Sequence, residues 1–104
     1  MSRIGEAGRG GPKVRSDCRV VVELTDNGGL LLEIESKVGP MYGENIRQQI
    51  TDGCANLGID NAKITVQDRG ALPFVLDARL ETAARRANPE LDKKLIPEKS
   101  IDLP

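Results

Sequence analysis

Val20, Val22 and Leu24 alternate with Val21, Glu23 and Thr25. A period of two carried by β-branched residues predicts a strand with one buried face. Thr25-Asp26-Asn27-Gly28-Gly29 follows, a reversal signal because Asn and Gly accept positive φ at low cost. Leu30, Leu32 and Ile34 then alternate with Leu31, Glu33 and Glu35, so the two runs predict an antiparallel hairpin. Lys37-Val38-Gly39-Pro40 breaks the pattern. From Met41 to about Leu57 the period becomes helical, with Ile46, Ile50, Cys54 and Leu57 on one stripe and Gly58 placed to end the helix. Asn61–Gln67 alternates again, Ala62, Ile64 and Val66 against Lys63, Thr65 and Gln67, and predicts a third strand closed by Asp68-Arg69-Gly70. Pro73 suits the first turn of a second helix, where its missing N–H is not needed. The stripe of that helix is Leu72, Leu76, Leu80, Ala83 and Ala87, and Asn88-Pro89 ends it.

The resulting order is ββαβα. It predicts an α+β two-layer sandwich, a three-stranded sheet with two amphipathic helices on one face. Residues 1–15, with four glycines, one proline and little apolar content, read as a flexible N-terminal arm. Residues 16–88 form the single domain. Residues 89–104, with three prolines and alternating charges, read as an extended C-terminal tail, either solvated or docked on a partner through Leu91, Leu95, Ile96, Ile101 and Leu103.

Composition narrows the chemistry. The 104 residues hold 15 Lys+Arg against 16 Asp+Glu, a net charge of −1, which lacks the basic footprint of a nucleic-acid binder. There is no His, hence no imidazole base and no His metal site. Cys18 and Cys54 are too far apart for a paired redox or zinc motif, and Cys54, on the apolar stripe, reads as a small core residue. No segment approaches the ~20 apolar residues of a membrane span. A cytoplasmic chain with reduced cysteines is expected, and a self-sufficient enzyme is not. Gly8-x-Gly10-Gly11 lacks the following Lys-Ser/Thr of a phosphate loop. Asp68-Arg69-Gly70 is more distinctive: Asp68 is placed to cap the second helix, and Arg69 to pair with an anion or a partner carboxylate.

Several stretches resemble the acyl carrier (gamma) subunits of citrate lyase. They are Gly29-Leu30-Leu31-Leu32-Glu33-Ile34-Glu35-Ser36-Lys37-Val38, Tyr42-Gly43-Glu44-Asn45-Ile46, Leu57-Gly58-Ile59, and above all Val66-Gln67-Asp68-Arg69-Gly70-Ala71-Leu72 with Ala78-Arg79-Leu80-Glu81 downstream. The family reads V-x-D-K-G-A-L at the fourth of these; Arg69 stands for the Lys and, further on, Asp77 for an Arg. The resemblance spans roughly residues 14–87. It implies a non-catalytic carrier that bears 2′-(5″-phosphoribosyl)-3′-dephospho-CoA on a serine as a phosphodiester. The arm's thiol would hold acetyl and citryl thioesters between the alpha (transferase) and beta (lyase) subunits of a cytoplasmic complex. A separate prosthetic-group transferase would attach the arm, and no nucleic acid, membrane or metal would be involved.

The resemblance places the attachment serine just before the first strand, in a segment like G-T-L-E-S-x-D. Gly11-Pro12-Lys13-Val14-Arg15-Ser16-Asp17 occupies that place, which makes Ser16 the implied attachment residue. Two departures stand: Asp17 follows Ser16 without a spacer, and Arg15 replaces an acidic residue. Ser36, at a strand end, is expected to make a local backbone bond. Asp68 and Arg69, together with the two tails, are the candidates for subunit docking. Two other functions remain open: the acyl carrier of malonate decarboxylase, which uses the same kind of prosthetic group, and an interaction module that has kept the fold without the arm.

Overall fold

A computed structural model describes residues 3–11, 13–36 and 40–90. The expected tail therefore lies, from Leu91 onward, outside the described residues. The elements are β1 (Ile4–Gly8), β2 (Asp17–Leu24), β3 (Leu30–Ser36), α1 (Pro40–Leu57), β4 (Ala62–Arg69) and α2 (Pro73–Ala87). The class is α+β, as the pattern predicts, but the sheet has four strands in the order β1-β2-β4-β3, and the chain order is βββαβα.

Two expectations about the sheet need correction. The first concerns the strand count, because β1 lies inside the segment read as an arm. It pairs antiparallel with β2 from Ile4↔Glu23 to Gly8↔Arg19. Its inward residues are Gly5 and Ala7, both buried, and neither carries enough apolar surface to register as alternation. They are small for a reason: a Cβ on Gly5 would sit 2.1 Å from the Ala83 carbonyl oxygen and 2.5 Å from the Ala87 nitrogen. The α2 backbone rests directly on β1, through the buried face Ala83, Ala84 and Ala87.

The second correction is to the hairpin. β2 and β3 are not neighbours, because β4 lies between them, antiparallel to β2 and parallel to β3. Gly28 and Gly29 do take positive φ, at 94° and 72°. The loop nevertheless spans two strand spacings, about 10 Å, instead of one. Asn61 holds it there: its Oδ1 accepts from Gly29 N at 2.8 Å and its backbone O from Thr25 N at 3.2 Å. The β3-α1-β4 unit supplies the helical crossover that a parallel pair requires.

Alternating residues of the sheet put Cys18, Val20, Val22, Ala62, Ile64 and Val66 in the core, with Leu30, Leu32 and Ile34 packed at its margin. The helices cover this face with Ile46, Ile50 and Cys54 from α1 and Leu76 and Leu80 from α2. They meet where Gly53 lies against Leu80; a Cβ there would come within 2.6 Å of Leu80 Cδ2. α1 ends as expected. Gly58 has φ 73°, its N–H bonds the Ala55 carbonyl at 3.1 Å and the Ile59 N–H that of Cys54 at 2.9 Å, the paired bonds of a Schellman cap. At the other helix, Pro73 opens α2, but Leu72 before it is 58% exposed and does not belong to the buried stripe.

Candidate functional site

Ser16 stands immediately before β2, exposed, with φ 59°. It is the one non-glycine residue among those described with a left-handed backbone, a conformation that costs a residue with a Cβ about 1 kcal/mol or more. The surrounding bonds impose it. The Ser16 N–H donates to the Arg69 carbonyl at 2.8 Å, and Asp17 bridges to Gly70. The start of β2 is thus hooked over the end of β4.

Asp17 is the second anchor. Its Oδ1 accepts from Cys18 N at 2.7 Å and from Arg79 Nε at 3.0 Å, while Oδ2 accepts from Arg79 Nη2 at 3.1 Å. This fork-to-fork pair ties the Ser16 segment to the middle of α2, 62 residues away. Burial alone would push the Asp17 carboxyl up. The Arg79 bonds, the Cys18 N–H, the Arg79 charge and the Arg9 backbone N–H outweigh it and hold the group below its ordinary 3.8. In return, the bonds and charge of Asp17 hold Arg79 more firmly protonated.

Asp68 and Arg69 lie in the same corner. Asp68 is 2% exposed. Its Oδ1 accepts from Ala71 N and its Oδ2 from Ser36 Oγ, both at 3.1 Å. The expected role as a cap of α2 is corrected: Leu72 is the N-cap and no side chain caps the helix, so Asp68 closes the turn before it. Ser36 Oγ donates to this carboxylate across 32 residues of sequence. Arg69 pairs with Glu35 of its own chain at 3.2 Å, and its side chain is 7% exposed. It also donates to the Asp68 carbonyl at 3.1 Å and to the Gly11 carbonyl at 3.4 Å. Both residues are occupied inside the chain, holding the turn and the loop that carries Ser16.

The cysteines take no part. Burial, reinforced by the charges of Asp17 and Asp68, pushes the Cys18 thiol up to about 12. Burial pushes Cys54 up to about 11. Neither forms a thiolate near neutrality. A groove between the helices, lined by Gln49, Asp52, Asn56, Asp77 and Glu81 among others, offers amides and carboxylates but no nucleophile, and Gln49 Nε2 already bonds Asp77 at 2.7 Å. No described group of His, Cys, Asp or Glu is arranged to hold a metal, and no described helix is long and apolar enough to cross a membrane. What the corner around Ser16 offers chemically is one exposed hydroxyl on a rigid frame.

The candidates Ser16, Asp68 and Arg69 fall in one corner of the fold, and sequence reasoning misses Asp17 and Arg79 as a pair. Arg79 sits off the apolar stripe of α2, where a solvated arginine is the default. The available signal was its place in the Ala78-Arg79-Leu80 motif, beside residues that pack on β1.

The family model described as malonate decarboxylase delta subunit (MdcD), an acyl carrier protein family, matches residues 11–87. The citrate lyase acyl carrier protein of Fusobacterium nucleatum is 35% identical over 79 residues, covering 76% of this chain and 84% of its own. That of Haemophilus influenzae (strain PittEE) is 44% identical over 75 residues, covering 72% and 77%. That of Lactobacillus helveticus is 36% identical over 78 residues, covering 75% and 79%. The matched region holds Ser16, its frame and both helices, and on these grounds the chain belongs to the citrate lyase acyl carrier protein family.

Proposed function

We propose that this chain is the acyl carrier subunit of a citrate lyase, non-catalytic in itself, with Ser16 Oγ as the attachment point of the phosphoribosyl-dephospho-CoA group. The observation that carries the reading is the exposed Ser16 hydroxyl on a left-handed residue, held from β4 and α2. The residues fit such a group. The hydroxyl faces solvent, where a phosphodiester can be built on it. Ser36, by contrast, is bonded to a buried carboxylate, and neither cysteine offers a competing nucleophile. The attached group supplies a thiol on a long arm that carries acyl groups as thioesters. The chain contributes rigidity at the base of that arm, and tethering raises the local concentration of whatever is carried at the partner active sites. The partners are the alpha and beta subunits and the transferase that loads the carrier. In this reading Asp68 and Arg69 serve docking indirectly, by fixing the turn and loop beside Ser16.

Intact mass of the protein from its native host, followed by peptide mapping, tests the assignment. An excess equal to the prosthetic unit on the peptide containing Ser16, lost in Ser16→Ala with the fold retained, is the expected result. An unmodified mass in a host that loads other such carriers would overturn it. The family model's description favours a second reading, the malonate decarboxylase carrier. The acyl group on the loaded chain separates the two: citryl and acetyl for the first, malonyl and acetyl for the second.

A further inference from the structure

Between Gly8 and Asp17 the chain carries Arg9, Lys13 and Arg15 and no acidic residue. All three are exposed, and their side chains make no hydrogen bond or ion pair with another described residue. That is unusual in this molecule. Among the described residues, every other Lys or Arg except Arg47 has a carboxylate or carbonyl partner within the chain. The three uncompensated cations fall on the loop that ends in Ser16.

The surroundings add no negative charge to offset them. Asp17, the nearest carboxylate, is covered by the Arg79 fork, and the Arg9 backbone N–H also points at it. Asp68 is turned inward onto Ser36 and Ala71, and Glu35 is paired with Arg69. The loop is also positioned. The Gly11 carbonyl receives Arg69 Nε at 3.4 Å and Val14 N at 3.1 Å, and Gly10 is pressed so close to Gln67 that a Cβ would meet its Oε1 at 2.5 Å. Ser16 therefore follows a loop anchored at Gly10, Gly11 and Val14 whose free charges are all positive.

We propose that Arg9, Lys13 and Arg15 form an anion cradle for a phosphate ester on Ser16 Oγ. The proposal rests on the reading of Ser16 as the attachment residue and adds a role to residues that reading does not use. Guanidinium groups match phosphate oxygens in geometry. Exposed cations hold a free anion weakly, but an anion tethered to Ser16 is present at an effective concentration of about millimolar or more. The cradle would fix the direction in which anything attached at Ser16 leaves the surface.

The test needs no loaded complex. Phosphoserine is placed at position 16 of the full chain during synthesis, and its second ionisation is followed by 31P NMR. Neighbouring cations stabilise the dianion, so the second pKa should fall by about half a unit or more below the ordinary value of about 6. The fall should fade as ionic strength rises from about 0.01 M to 1 M. In R9Q/K13Q/R15Q the value should return to normal, with circular dichroism and the urea midpoint unchanged because none of the three holds the fold. Equal values in the parent and triple variant overturn the cradle. So does a fall carried wholly by Arg15, with R9Q and K13Q silent, since that is only a sequence neighbour acting. Whether Ser16 is the residue modified in the cell is decided by the mass measurement, independently of this titration.

Discussion

Replacing Gly5 by Ala should cost this protein a large part of its stability. In most surface strands the same change is neutral or favourable, because Ala loses less chain entropy on folding than Gly, by about 0.4–1 kcal/mol. Here the new methyl would lie 2.1 Å from Ala83 O, 2.5 Å from Ala87 N and 2.8 Å from Arg86 Cβ. Two of these are backbone atoms of a helix that is buried along Leu76, Leu80, Ala83, Ala84 and Ala87, so no side chain can swing aside. Either α2 lifts by more than an ångström or β1 leaves the sheet. Overpacking of this kind costs about 1–3 kcal/mol, and contact with backbone puts it at the upper end; a net loss of about 2 kcal/mol remains after the entropy gain. With an m-value of about 1–2 kcal/mol/M, the urea midpoint falls by about 1–2 M. Hydrogen exchange in β1 distinguishes the routes: protection lost there alone means that the strand has undocked. Gly43→Ala is the control. It lies within α1 with nothing inside 4 Å of the new Cβ, so it should stabilise by about 0.5–1 kcal/mol. If Gly5→Ala behaves like Gly43→Ala, α2 does not rest on β1 and the account of the fourth strand fails.

Arg79→Met removes both bonds to Asp17 while keeping the stem, and should lower the urea midpoint by the equivalent of about 1–3 kcal/mol; no change would mean that the pair is not formed in solution. The Asp17 carboxyl is held below its ordinary 3.8, so its contribution to stability is complete above that value and is lost as pH falls below it. Parent and Arg79→Met stability curves should therefore converge on acidification, read by chemical denaturation at several pH values. The cysteines act at the other end. With folded values of about 12 and 11 against an ordinary 9.0, they favour the folded state up to about pH 9, and this contribution fades as pH rises beyond it; a Cys18→Ala/Cys54→Ala double variant should lack that alkaline slope. Ser16→Gly should leave stability unchanged or raise it by about 1 kcal/mol, because Gly takes the left-handed backbone freely, while abolishing attachment of the prosthetic group; a destabilised Ser16→Gly would contradict the observed backbone.

The α1 stripe Ile46, Ile50 and Cys54 was legible because each position carries apolar bulk at a helical interval, and the same holds for the inward residues of β2 and β4. β1 was not, because its contribution to packing is the absence of a side chain at Gly5, and absence has no hydrophobic period. The neighbour relation of β2 and β3 was misread for a different reason. Asn27-Gly28-Gly29 specifies local backbone signs, which are the same whether the next strand lands beside β2 or one place further on. The insertion of β4 depends on Asn61, 32 residues from Gly29, beyond the reach of a local pattern. At the site, Ser16 became a candidate through the resemblance of Gly11-Pro12-Lys13-Val14-Arg15-Ser16-Asp17 to the family's attachment segment. Its frame was not legible: the Arg79–Asp17 bond joins distant segments, and each partner alone looks like an ordinary surface charge.

The docking of β1 under α2 has a consequence for the order of events during synthesis. Glu6, whose carbonyl receives Arg86 Nη1 at 2.7 Å, precedes that arginine by 80 residues. β1 leaves the ribosome first, yet the helix it must lie beneath is the last of the described elements to be made. Until then, the half of the sheet nearest the N-terminus has no roof, and β1 is held at the outer edge by its pairing with β2 without the packing of α2. Contacts this distant along the chain slow folding, and an unpaired strand edge in the interval is open to pairing with other chains. The first of the described elements to be made waits for the last before its inner face is covered.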